Sequence, residues 1–140
     1  MNPNLELPFR ALRIGIGVGA FLAGLDKFFN ILANWEMYLT PLATNLIPVS
    51  AATFMRGVGV IEMIAGAMLL AGFTRLGGYV VAGWLLAIAA SLVTTGMFYD
   101  LAVRDVEIAI AAFTLARLSE VRAHADQRIS ALALPRRPAA

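Results

Sequence analysis

A single glutamate in a long apolar stretch is the first candidate for chemistry in this chain. Glu62 is the only charged residue within residues 57–72. A carboxylate in a lipid-embedded helix is costly, so such residues usually face the protein interior, have a partner and mark a functional site. Because no other charge on the same helix lies one turn away, we interpret Glu62 as a functional residue that binds a ligand or relays a proton.

Three stripes of small residues could bring other charges to Glu62. Residues spaced by three and four share one face of a helix, and small side chains there let membrane helices approach closely. We therefore expect the stripes to face one another. They consist of Gly17, Ala20, Gly24 and Lys27 in the first, Gly59, Glu62 and Gly66 in the second, and Arg104, Glu107, Ala111 and Thr114 in the third.

The candidate binding or proton-relay residues form a polar funnel that opens to the outer side. They are Glu62, Arg104, Glu107, Lys27 and Arg56, with Asp26, Asp100 and Asp105 around them. A structural interpretation stays open, because Arg104 can pair along its own helix with Asp100 or Glu107. Arg56 can extend to the interface, and Asp26 is interpreted as a solvated charge at a helix end. No catalytic residue is assigned.

The composition predicts a membrane protein that is all-α. Of the 140 residues, 60% are hydrophobic and only 14% are charged, against about 25% charged in soluble domains. A span needs about 20 apolar residues, and four can be drawn, at 9–29, 51–73, 76–99 and 101–118. We predict an integral membrane four-helix bundle over residues 1–118, followed by an arginine-rich cytoplasmic tail, 119–140, that is partly disordered.

The connection between the first two spans, residues 31–50, is predicted to be an interfacial loop or short helix. Pro41 and Pro48 disfavour a long helix there, so a fifth span is the weaker alternative.

A second alternative concerns the N-terminus, where Arg10 and Arg13 precede an apolar run as in a signal peptide. Cleavage after residues 20–23 would remove a span that the bundle needs.

The basic residues predict the orientation and exclude some functions. With four spans, eight basic residues lie on the side of the termini and three, namely Lys27, Arg56 and Arg104, on the other. The positive-inside rule then places both termini in the cytoplasm. No basic patch could follow a nucleic-acid backbone, so nucleic-acid binding is not expected. Without cysteine, and with His124 alone in the polar tail, no metal site is predicted.

Three segments resemble the DoxX family of small four-span bacterial membrane proteins. The run from Arg13 through Gly24 to Lys27 resembles the family's first span. Residues 62–75 resemble its second span and the short basic turn after it, and Arg104 with Asp105 resembles the start of its last span. The resemblance covers about residues 9–118 and implies a multi-pass protein of the bacterial cytoplasmic (inner) membrane.

The resemblance also implies a role in membrane redox complexes. Relatives act as subunits of thiosulfate:quinone oxidoreductase beside an archaeal terminal quinol oxidase, and others support oxidative-stress enzymes. We therefore expect a subunit of, or an accessory to, a quinone-linked complex, with a quinone as the possible cofactor. The expected partners are the lipid bilayer and either a redox enzyme or further copies of this chain. The alternatives are a non-catalytic docking partner of an enzyme and a carrier of a small hydrophobic or anionic molecule.

Overall fold

The protein is helical throughout the residues that the computed structural model describes, 3–46 and 48–133. The elements in chain order are α1 (Pro3–Asp26), a 3-10 helix (Trp35–Tyr38), α2 (Pro41–Leu46), α3 (Ala51–Leu70), α4 (Thr74–Thr94) and α5 (Tyr99–Ala133). Within these ranges there is no strand, which confirms the prediction of an all-α protein.

Three of the helices are long and apolar enough to cross a membrane. They are α1 over Leu5–Asp26, α3 and α4, and large apolar side chains on their outer surfaces are exposed, among them Leu22, Ile64 and Leu86. This pattern fits a multi-pass membrane protein. Helix α5 lacks an uninterrupted apolar stretch long enough to cross a membrane, because only nine uncharged residues separate Glu107 from Arg117. A fourth span, and with it the four-helix membrane bundle, stays a prediction.

Helices α1 and α3 pack at unusually close range because glycines face each other across their interface. A Cβ atom added to Gly24 would lie 2.5 Å from the carbonyl oxygen of Gly59, and one added to Gly66 would lie 2.6 Å from that of Gly17. Real Cβ atoms do not approach backbone oxygens this closely, so no larger residue fits without displacing a helix. The predicted contact between the first two stripes is confirmed.

The other long helices complete a shared core. Helix α3 also packs on α4, α4 on α5, and α5 returns to α1. At the α4–α5 interface a Cβ on Gly78 would lie 2.9 Å from the carbonyl oxygen of Ala112. The main apolar cluster draws on all four long helices and consists of Phe9, Ala65, Leu69, Val81, Ala82, Ala109, Ala112 and Leu115.

The turns between the helices follow from local sequence. Helix α3 begins after Ser50, whose hydroxyl accepts a hydrogen bond from the backbone N–H of Thr53, as N-caps do. It ends at Leu70, and Gly72, two residues later, has a φ of 97°, which is available to glycine at little cost. The backbone N–H of Phe73 reaches the carbonyl of Met68 and that of Gly72 the carbonyl of Leu69, which is the Schellman arrangement.

The connection between α1 and α3 contains two short helices. Pro41 occupies the first position of α2, where its missing N–H costs nothing, and the Thr40 hydroxyl accepts from the N–H of Ala43. The expected short helix is therefore present.

At the other end of the chain α5 is 35 residues long and continues unbroken past residue 118 to Ala133. The end of the predicted tail, residues 134–140, lies outside the described residues.

Candidate functional site

Lys27, one of the basic residues expected near Glu62, forms a buried ion pair with it. Lys27 directly follows α1, Glu62 lies in the middle of α3, and Lys27 Nζ is 2.5 Å from Glu62 Oε2. The exposed fraction is 6% for Lys27 and 7% for Glu62, so water contributes little to either charge. Each charge therefore depends on its partner within the protein.

The close glycine packing explains why these two side chains meet. A Cβ on Gly24 would lie 2.9 Å from the Cβ of Glu62, and a Cβ on Gly59 would lie 3.1 Å from the Cβ of Lys27. Lys27 follows Gly24 by one turn and lies beside Gly59 of α3. Glu62 follows Gly59 by one turn and lies beside Gly24 of α1. The glycines bring the backbones together, and the ion pair occupies the space at the edge of that contact.

Trp35 covers the ammonium group of Lys27. The centroid of its ring system lies 3.7 Å from Lys27 Nζ, within the range of a cation–π interaction. Lys27 Nζ also donates to the carbonyl oxygen of Ala23 at 3.4 Å. The cation is therefore held by a carboxylate, a backbone oxygen and an aromatic face.

Asp26 holds Trp35 in this position, and the interpretation of Asp26 as a solvated charge is wrong. Its side chain is buried and accepts from the backbone N–H groups of Ile31 and Leu32, each at 2.9 Å. It also accepts from Trp35 Nε1 at 2.8 Å. The chain turns back sharply after α1, with Asn30 at a φ of 53°, so the free N–H groups of the loop point at Asp26. The carboxylate fastens the loop over the ion pair.

Helices α4 and α5 contribute a tryptophan and a second carboxylate. Asp105 is buried and pairs with the exposed Arg104 at 3.0 Å, and its charge also interacts with those of Glu62 and Lys27. Trp84 is close enough to interact with the Glu62 carboxylate. Its buried Nε1 nevertheless completes no hydrogen bond within the described part of the chain. We call Lys27, Glu62, Asp105 and Trp84 the buried centre.

The remaining predicted site residues do not enter the buried centre. Arg104, Glu107 and Arg56 are exposed, and Arg104 pairs with Asp105, not with the expected Asp100 or Glu107. Glu107 borders an open apolar groove between α4 and α5. The funnel of eight charges is therefore reduced inside the protein to Lys27, Glu62, Asp105 and the neighbouring Asp26.

The expected third stripe is wrong by one residue position. The face of α5 that packs inward carries Asp105, with the small residues Ala102, Ala109, Ala112 and Ala116. These positions are also spaced by three and four, so the signal for Asp105 was present in the sequence. The predicted face through Arg104, Glu107 and Thr114 is exposed.

The buried centre combines proton donors and acceptors in an apolar surrounding. Lys27 and Trp84 can donate hydrogen bonds, and the two carboxylates can accept protons or bind a cation. In the ranges described here, no group of three or more His, Cys, Asp or Glu side chains is placed to hold a metal ion. The arrangement suits a polar ligand group or proton exchange.

Comparisons with protein-family models, curated proteins and solved structures find no match to this chain.

Proposed function

We propose that this chain is a DoxX-like, four-span protein of the bacterial cytoplasmic membrane with both termini in the cytoplasm. In this proposal it is a subunit of, or an accessory to, a quinone-linked redox complex, and the buried centre is its quinone-binding or proton-exchange site. The observation that carries the proposal is the buried Trp84 Nε1, which completes no hydrogen bond among the described residues although the Glu62 carboxylate lies near it.

The donors and acceptors of the buried centre fit a quinone head group. A quinone carbonyl oxygen accepts hydrogen bonds, and the buried Trp84 Nε1–H could donate one to it. Lys27 is a second donor, and Glu62 and Asp105 can take up or release protons near it. When bound, the quinone would supply the electron-accepting chemistry. The residues of this chain would bind and orient the head group, exclude water and hold the protons.

A substitution that removes only the indole N–H tests this assignment. Trp84→Phe keeps an aromatic ring but has no donor, while Tyr99→Phe changes an exposed tyrosine and serves as a control. The purified protein is titrated with a short-chain quinone, and its thermal unfolding is followed. We expect the quinone to stabilise the wild type and the control, and Trp84→Phe to respond about ten-fold more weakly, as for the loss of one buried hydrogen bond. A wild type that shows no response, or an equal response in all three proteins, would overturn the quinone site.

A docking function is the second candidate, and it is favoured by the length of α5. The helix continues for 15 residues beyond residue 118, with Val121, Ile129 and Leu132 exposed on it. Such a helix offers a surface for a soluble enzyme at the membrane. Removal of residues 119–140 separates the two functions: a docking protein loses its partner on gentle extraction, whereas a quinone site in the buried centre keeps its ligand.

A further inference from the structure

The end of the protein that holds the α3–α4 turn carries an excess of arginine. Five arginines gather there with two carboxylates. Glu120 forms an ion pair with Arg75 at 2.9 Å and accepts hydrogen bonds from Arg117 Nη1 at 2.5 Å and from the hydroxyl of Tyr79. Each of the two carboxylates, Glu6 and Glu120, is already shared by two arginines.

Glu6 is the second shared carboxylate. It accepts from Arg10 Nε at 2.7 Å and from Arg122 Nη1 at 3.1 Å, so it links α1 to α5. Four of the five arginines are thereby paired. Five arginines against two carboxylates leave three positive charges in surplus among these residues, and only the fifth arginine has no ion-pair partner among them.

Arg13 is that fifth arginine, and its Nε completes no hydrogen bond within the described residues. The side chain is half-buried, and its Nε is shut off from water without a hydrogen-bond partner. Its Nη1 lies 3.9 Å from the place where a Cβ on Gly72 would stand, which puts the group beside the α3–α4 turn. Arginine keeps its charge in proteins, and a buried donor without an acceptor is unfavourable. The position can therefore accommodate an anionic acceptor.

The turn beside Arg13 adds to this preference for an anion. Helix α4 starts immediately after the turn, and its N-cap residue, Phe73, supplies no side-chain hydrogen bond. The first N–H groups of a helix have no acceptor within the helix, and its N-terminus carries partial positive charge. Arg13 and the start of α4 thus present donors at one place, at an end of the membrane-capable helices where lipid head groups lie.

We propose that Arg13 and the first turn of α4 bind the phosphate group of an anionic phospholipid. A guanidinium can hold two phosphate oxygens at once, and basic sites between membrane helices recognise anionic head groups. The surplus of arginine over carboxylate favours an anionic lipid over a zwitterionic one with the same phosphate. This site is remote in sequence from the buried centre and does not depend on the proposed function.

Lipid binding to the purified chain in a non-ionic detergent tests the proposal. Three additions are compared by thermal unfolding and native mass spectrometry: phosphatidylglycerol, phosphatidylcholine and inorganic phosphate. We expect phosphatidylglycerol to bind the wild type about ten-fold more tightly than phosphatidylcholine does, because both lipids present the same phosphate but only phosphatidylglycerol carries a net negative charge. Inorganic phosphate should leave the unfolding temperature unchanged. If phosphate alone saturates the site, it binds a free anion and the lipid assignment is wrong.

Two substitutions on the same helix locate the effect. Arg13→Gln should lower phosphatidylglycerol affinity about ten-fold, to the level of phosphatidylcholine. Arg10→Gln, at an exposed arginine already paired with Glu6, should keep wild-type affinity. If Arg13→Gln does not fold, Arg13→Lys keeps the charge and should show an intermediate affinity. Equal binding of the two lipids by the wild type, or unchanged binding by the Arg13 variant that folds, would overturn the proposal.

Discussion

Burying the Lys27–Glu62 pair costs desolvation free energy, and this cost bears on why the pair is present. Taking an ion out of water costs several kcal/mol even in real proteins, and a well-made pair roughly recovers that cost without a large surplus. Lys27 recovers it through Glu62, the Ala23 carbonyl and the Trp35 ring. A pair of apolar residues would stabilise the same interface as well or better. We therefore interpret the pair as retained for what it does chemically.

Trp35 lies over the ammonium group of Lys27, and we predict that it restricts access to this group. Lys27 is the only lysine in the chain, so an amine-reactive reagent has one side-chain target. We expect a membrane-impermeant acylating reagent to leave Lys27 of the wild type largely unmodified. Trp35→Ala removes the covering ring and should increase the modification several-fold, whereas Trp35→Phe keeps a ring and should not. Peptide mass spectrometry separates Lys27 from the terminal amine.

Met37 supplies the control for this test. It lies in the same 3-10 helix as Trp35 and is exposed, so Met37→Ala should leave the rate of acylation unchanged. Thermal unfolding of each variant shows that it is still folded under the labelling conditions. Wild-type rates in a folded Trp35→Ala variant would mean that the ring does not restrict access.

The contact between α1 and α3 depends on glycine at particular positions. Within α3, a Cβ on Gly66 would meet backbone atoms of α1 at 2.6 Å, whereas one on Gly57 would meet nothing within 4 Å. Gly66→Ala should destabilise the protein by about 1–3 kcal/mol through overpacking. Gly57→Ala should be neutral or stabilising by up to about 1 kcal/mol, because alanine favours helix. Thermal unfolding in detergent measures both, and equal melting of the two variants would contradict the packing described.

Sequence periodicity predicted that these two helices meet at their glycine stripes, because such stripes have few alternatives. It placed Lys27 and Glu62 on the facing sides but did not single out Lys27 as the partner of Glu62. The same reasoning failed on α5, where two neighbouring faces both carry charges. One face runs through Arg104 and Glu107, and the other through Asp105 and Ala109. The face with more small residues lies inside, so side-chain size was the better guide than the number of charges.

The loop that lies over the Lys27–Glu62 pair could not be predicted from sequence periodicity. The hydrogen bonds from Ile31 N–H, Leu32 N–H and Trp35 Nε1 to Asp26 form in irregular backbone, which has no period to follow. The unpaired indole N–H of Trp84 could not be predicted either, because only packing shows which buried donor completes no hydrogen bond.

The topology of the whole molecule depends on α5, whose first half we propose as the fourth span. Ile110 and Ile129 are both 60% exposed and both lie in α5, and the chain has no cysteine of its own. In intact membranes, a charged thiol reagent should not react with Ile110→Cys from either side, because lipid surrounds that position. Ile129→Cys should react from the cytoplasmic side only. Reaction of Ile110→Cys would exclude the fourth span, and reaction of Ile129→Cys from the periplasm would exclude the orientation.

A variant that keeps the fold and removes the charges of the buried centre separates structure from function most directly. Lys27→Met and Glu62→Met alone each leave one buried charge without its partner and should destabilise by about 3–5 kcal/mol. The double variant replaces the pair by apolar side chains of similar length and should recover most of that loss. Thermal unfolding measures this recovery and gives the folded material for the decisive comparison.

That comparison is the amount of quinone carried per chain after gentle extraction, measured by mass spectrometry of the wild type and the folded double variant. If the buried centre binds a quinone, the wild type carries it in near-stoichiometric amount and the double variant carries none. Equal amounts in the two proteins would mean that Lys27 and Glu62 do not form the binding site. A wild type without quinone would contradict the proposed function itself.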